Sequence, residues 1–393
     1  MLIGICATIY LLDGLIHSLP GPLAPAMATS LGLTNAQLGP IFSANLAGQC
    51  AGLVLLPLLA ARVGEHLVVL LSLTGFGLAQ AATALADGAT GLILWRLLTG
   101  FFLGGCLPSC LAMVSAAAPA ARRGLAIMVL FTGYGLGATL AGVVATGFAD
   151  HGGWRAAMVG VGLACLLTAA FSWIWLEEVP TAAGAQPDSP APGVRPLDIL
   201  SPRYLSGTLL LWLLFIFMLT ISYCLNSWLP TLLVEVGRDA HFAALSVTIF
   251  SFGGIVAALG VGVLIDRFGA IRTLMSFLGM ATLLLYVVGH TLASASTTML
   301  TVLLAACGFF VLGAYGGINV VLATYYPPPL RATGIGWSKS VGRFGTLVAP
   351  VLIGAALDAG MAETSIMSLF AIPAVLAAIC LALVGCGRHG RTA

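Results

Sequence analysis

Apolar residues in this chain come in runs of about twenty, the length a helix needs to cross roughly 30 Å of bilayer hydrocarbon. Short polar or glycine- and proline-rich breaks fall near 29–37, 61–66, 87–90, 118–124, 150–153, 177–203, 236–241, 266–272, 294–297, 325–332 and 358–363. Eleven breaks make twelve spans. The pattern predicts an all-α membrane protein, each span satisfying its own backbone hydrogen bonds in lipid.

The longest break, 177–203, contains AAGAQPDSPAPGVRP, which has too little apolar surface to fold by itself. It is expected to be a linker between an N-terminal six-helix bundle, 1–176, and a C-terminal bundle, 204–393, that ends in a short tail. The halves echo each other. Ala60-Ala61-Arg62-Val63-Gly64 is matched by Ile265-Asp266-Arg267-Phe268-Gly269, and the stretch from Pro119 to Arg123 by that from Pro327 to Arg331, as an internal duplication predicts.

Composition narrows the field. Of 393 residues, 60% are hydrophobic and 7% charged, against about a quarter charged in a soluble domain, so no separate soluble domain is expected. A net charge of +2 suggests no nucleic-acid partner. The first Lys or Arg is Arg62, so the first run lacks the basic leader of a signal peptide and is read as a retained span. Nine scattered cysteines show neither a disulfide framework nor metal-ligand spacing, and no cofactor motif stands out. Orientation follows from the loop cations. Arg62, Arg122, Arg123, Arg195, Arg203, Arg267, Arg272, Arg331, Arg388 and Arg391 fall on one side, Arg155 and Arg238 on the other. Both termini are therefore expected in the cytoplasm of a bacterial inner-membrane protein.

Four charges remain inside the spans: Asp13, Arg96, Lys339 and Arg343. A charge at a span's centre costs at least about 2.5 kcal/mol, so it normally faces a partner or a water-filled path. Asp13 falls near the midplane of span 1, with His17 one turn on along the same face. Asp13 is either a proton-loading carboxylate or half of a fixed ion pair; His17 either joins it or serves packing. Lys339 and Arg343, four residues apart, share a face of span 11. Two like charges on one buried face call for an anion, although Lys339 could also snorkel to the interface. Arg96, about one turn inside span 4, could bond carbonyls at a helix end or contact substrate. Three cations against one carboxylate point to a transported anion.

The motifs resemble the major facilitator superfamily over the whole chain: Arg96-Leu-Leu-Thr-Gly100, Gly153-Trp154-Arg155, and Gly262-Val-Leu-Ile-Asp266-Arg267-Phe-Gly269. Within it, the chain is similar to the aromatic acid:proton symporters. That likeness rests on Asp13-Gly14, Ala24-Pro25-Ala26, Tyr223-Cys-Leu-Asn226-Ser-Trp228-Leu-Pro230, Phe250-Ser-Phe-Gly253-Gly254, and the run from Tyr326-Pro327 through Arg331 and Trp337 to Arg343-Phe-Gly345. The resemblance implies proton-driven uptake of carboxylates, with Asp13, Arg96, Arg343 and Arg331 at functional positions. It also implies gating by the loop residues Arg62, Arg123, Asp266, Arg267 and Arg331. The chain departs from the family where Ile16, Ala61 and Ala116 replace acids and where Lys339 replaces an apolar residue.

The expected function is secondary active symport, in the uptake direction, of protons with a small organic anion, a mono- or dicarboxylate, aromatic or aliphatic, by alternating access in a monomer. Asp13 and His17 would couple protons. Arg343, Lys339 and Arg96 would bind the anion, with Tyr223, Asn226, Trp228, Asn319 and Trp337 as neighbours on which a ring could stack. Anion:anion exchange and proton-coupled export are the alternatives on the same fold. A receptor or enzyme has no supporting motif.

Overall fold

A computed structural model describes residues 1–119, 122–176 and 196–389. The helices, in chain order, are α1 (Leu2–Ser18), α2 (Pro20–Leu31), α3 (Asn35–Val63), α4 (Glu65–Ala82), α5 (Ala89–Ala117), α6 (Arg123–Gly147) and α7 (Gly153–Trp175). They continue as α8 (Leu205–Glu235), α9 (Ala240–Phe268), α10 (Ala270–Thr291), α11 (Thr297–Tyr325), α12 (Pro328–Asp358), α13 (Glu363–Leu369) and α14 (Ala371–His389). Among the described residues eleven helices are long and apolar enough to span a bilayer, twelve when the bent pair α1/α2 counts as one. The span-1 run is thus broken at Leu19 by 40°, where Pro20 and Pro22 remove backbone donors. Most of the expected linker, 177–195, lies outside the described residues.

Helix ends carry local signals. A capping box, Thr34 with Gln37, opens α3; Asp239 and Ser296 cap α9 and α11 with their side chains. The echoed loops turn alike: Gly64 ends α3 at φ 91°, and Gly269 ends α9 at φ 84°, a region that favours glycine. The two far-side arginines also match. Arg155 donates to the Ala84 and Ala86 carbonyls, and Arg238 to those of Leu292 and Ala295, each tying one loop to another.

Packing groups α1 with α5, α6 and α7, and α3 with α4 and α5; likewise α8 with α12 and α14, and α9 and α10 with α11. The two groups meet mainly where α3 crosses α12, where α6 crosses α9, and where α2 touches α8. Glycines set these distances. A Cβ at Gly14 or Gly137 would run into the carbonyls of Tyr134 and Leu11, so α1 and α6 touch backbone to backbone. Gly48 and Gly100 do the same between α3 and α5.

The seam is closed on the side away from the termini. There the Asp358 carboxylate accepts the N–H groups of Asn35 (3.0 Å) and Ala36 (3.1 Å), and Asn35 Nδ2 donates to Glu235 at 3.3 Å. Further in, Ser43 Oγ donates to the Leu347 carbonyl at 2.7 Å and Thr248 Oγ1 to that of Thr139 at 2.6 Å. Gly39 lies against Pro350 and Val351, and Gly142 against Ala244. Towards the termini Arg62, Asp266, Gly336 and Lys339 are exposed. Among the described residues the contacts across the seam thus concentrate away from the termini, which leaves the side that carries them the more open.

Candidate functional site

Asp13 and Arg343 face the same central region from opposite groups of helices. Asp13 is eleven residues into α1 and Arg343 fifteen into α12, each roughly 17–23 Å along its helix. Asp13 is 1% exposed, and its Oδ1 has no hydrogen-bond partner. Arg343 is the charge that acts on it. The Arg343 Nη1 donates across the seam to Gln49 Oε1 of α3 at 2.8 Å, with the Cys50 thiol also against the guanidinium. A neutral amide therefore occupies a position that a carboxylate would fill more strongly.

His17 stands between these groups. Its ring meets Tyr223 edge-on at 4.8 Å and Tyr134 at 6.2 Å, and its Nδ1 lies 3.4 Å from Asn45 Nδ2. Tyr10 packs on Tyr134 at 5.4 Å, and Tyr134 and Tyr223 lie close to each other across the seam. Tyr315 of α11 completes this wall beside Phe215 at 6.3 Å and lies within the field of Arg343. A cavity of about 10 Å³ among His17, Phe42, Asn45, Arg96, Tyr223, Ser227 and Pro350 has room for about one water.

Arg96 is 2% exposed and held by neutral groups alone: Nη1 to Gln80 Oε1 at 3.0 Å and Nη2 to the Ile16 carbonyl at 3.1 Å. Of its two sequence readings, the geometry displays the carbonyl contact. Lys339 shares with Arg343, Leu347 and Pro350 the strip of α12 that faces α3, but one turn nearer the termini, where the seam has parted. Its side chain reaches the surface of the molecule, within the field of Arg343.

Four expected neighbours have contacts of their own. Trp337 lies about 120° round α12 from Arg343, 45% exposed and stacked on Trp212 of α8 at 5.8 Å. Trp228 is fully buried behind Phe42, edge-on at 5.2 Å, in the closed part of the seam. Asn226 offers its carbonyl to the contact with Gly21, while Tyr223 and Ser227 line the cavity. Asn319 spends its Nδ2 on the Tyr315 and Gly316 carbonyls one turn back, which leaves its Oδ1 without a partner.

Of the gating candidates, Arg62, Asp266, Arg267 and Arg331 are exposed, and no hydrogen bond or ion pair joins them among the described residues. The Arg123 side chain lies outside what is described. Sequence reasoning passed over Asn45, Gln49, Gln80 and the tyrosines 10, 134 and 315. The amides carried a usable signal, since each is an isolated strongly polar residue within an apolar run.

The Major Facilitator Superfamily model matches residues 6–245 and again 211–389. The chain belongs to this superfamily. It is 31% identical to the gallate transporter of Pseudomonas putida, over 99% of this chain and 92% of that protein. It is 30% identical to the 4-hydroxybenzoate transporter PcaK of Acinetobacter baylyi, over 96% of this chain and 89% of the relative. Among solved structures, the D-xylose-proton symporter superposes with a TM-score of 0.77 at 17% identity, covering 96% of each chain; that likeness concerns the fold. The protein is thus a multi-pass membrane member of the superfamily whose curated relatives are named transporters.

Proposed function

We propose that the protein takes up an aromatic carboxylate together with protons, by alternating access. The observation that carries this reading is the separation of two buried charges. A carboxylate with an unpartnered oxygen, Asp13, faces a guanidinium, Arg343, whose hydrogen-bonded side-chain partner is the Gln49 amide on the opposite group of helices. With termini in the cytoplasm, the more open side is the inward one.

In this reading the substrate carboxylate displaces Gln49 from Arg343 and gains a bidentate, charge-assisted contact. The ring lies against the wall of Tyr10, Tyr134, Tyr223 and Tyr315 and His17, where flat aromatic faces suit it. The cavity beside His17 is too small for a ring, so the substrate sits on the more open side of that residue. Asp13 carries the coupled proton: protonated, it adds no second anion to the site, and deprotonation on the inner side favours release of the substrate. Lys339, on that side, attracts the anion on its way. The names of the gallate and 4-hydroxybenzoate relatives support the substrate class.

The test uses purified protein in proteoliposomes, with labelled 4-hydroxybenzoate or gallate outside and an imposed pH gradient, acid outside. Wild type accumulates the acid uphill. Asp13→Asn loses accumulation but keeps counterflow exchange. Undiminished uphill uptake by Asp13→Asn removes that residue from coupling, and absence of any aromatic carboxylate transport by wild type refutes the substrate class.

A further inference from the structure

In a helix, the carbonyl four residues before a proline loses its backbone donor. The α1/α2 pair runs on with Leu19 N–H bonded to the Leu15 carbonyl at 2.9 Å, but Pro20 has nothing to offer Ile16. An unsatisfied carbonyl inside a membrane protein carries a heavy penalty, and a side chain normally answers it. Here the answer comes from another helix. Arg96 of α5 donates Nη2 to the Ile16 carbonyl, while Nη1 holds Gln80 of α4, and Gln80 Nε2 contacts Met158 Sδ of α7 at 2.9 Å. Arg96, Gln80 and Ile16 are all essentially buried.

We infer that Arg96 is the positioning residue of the α1/α2 hinge. It supplies, from α5, the hydrogen bond that Pro20 removes, and so pins the 40° bend to α4 and α7. Ile16 lies three residues after Asp13 and one before His17, so fixing its carbonyl fixes how both side chains enter the central cavity. The guanidinium suits the task because one planar fork spans two acceptors on different helices and stays charged when buried. A lysine ammonium could satisfy one acceptor or the other, with less geometric control. This role rests on the symport reading only in that Asp13 and His17 are the groups positioned.

The role differs from direct substrate binding in one measurable way: it disappears if the backbone regains its own donor. Pro20→Ala restores an N–H to Ile16. Thermal unfolding midpoints and 4-hydroxybenzoate binding would be measured on purified full-length wild type, Arg96→Gln, Pro20→Ala and the double variant. Arg96→Gln alone should lower the midpoint by several degrees and weaken binding about tenfold, since a buried acceptor is left unmet. In the Pro20→Ala background the same change should cost less than half as much on both readouts. Arg96→Lys, which keeps one donor, should fall between, and Arg96→Lys with Pro20→Ala replaces the glutamine pair if Arg96→Gln does not fold. An equal loss of binding in both backgrounds overturns the hinge role in favour of direct anion contact. An equal loss of midpoint overturns the Ile16 contact. Failure of wild type to bind any aromatic carboxylate counts against the symport reading and leaves the midpoint comparison as the test of the hinge.

Discussion

One carboxylate, Asp358, joins α12 to α3 at the far-side closure, so its removal gives a quantitative test of how the seam opens. Asp358 ends α12 and accepts from the first-turn N–H groups of α3, at Asn35 and Ala36, a helix cap supplied by the opposite group of helices. Replacing a capping carboxylate by alanine costs about 1 kcal/mol, range roughly 0.5–2, and the position is exposed, which keeps the value near the middle. The contact can exist only while α3 and α12 are together on that side. Asp358→Ala should therefore shift the equilibrium towards the opposite opening by about 1 kcal/mol, close to fivefold.

Ser43, sealed by its bond to the Leu347 carbonyl, reports on the opening. Ser43→Cys would be placed in a background with Cys50 and Cys386 replaced, because the other seven cysteines are buried. Labelling by a membrane-impermeant maleimide from the far side should then accelerate about fivefold on adding Asp358→Ala, following the open population. Asp358→Asn, which keeps an oxygen acceptor without the charge, should lie between. A labelling rate within a factor of about 1.5 of the parent would refute the idea that this cap holds the seam, because the cap would then be worth less than about 0.25 kcal/mol to the equilibrium.

Two further outcomes follow from packing and charge. Lys339→Leu should leave monocarboxylate transport nearly intact and slow dicarboxylates several-fold, because an exposed cation acts through attraction screened by salt; transport rates for the two classes at low and high ionic strength check this, and an unchanged ratio removes Lys339 from selection. Gly48→Ala should destabilise the protein by about 1–3 kcal/mol, since its Cβ would collide with the Leu97 carbonyl and force α3 from α5; thermal unfolding in detergent reads the loss, and an unaltered midpoint would show that the helices separate freely.

The sequence by itself determined the number of spans and the rare charges within them. Lipid enforces both: a helix must be about twenty apolar residues long to span it, and a charge inside it is costly enough to mark function or partnership. Asp13, Arg96 and Arg343 were legible for that reason. Tertiary structure decided what each charge meets. Arg343 reaches Gln49 across 294 residues of chain and Arg96 reaches Ile16 across 80, distances over which no periodicity carries information. Neutral amides such as Gln49 and Gln80 take part in these contacts with a weaker sequence signal than a charge, because an amide in a span is less costly. Trp337 and Lys339 show the remaining ambiguity. Sequence placed both on span 11, yet helix phase turns Trp337 onto Trp212, and Lys339 reaches the surface one turn nearer the termini than Arg343. Which side of the molecule is open depends on cross-seam contacts such as Asp358 with α3, and these exist only once two groups of helices have packed.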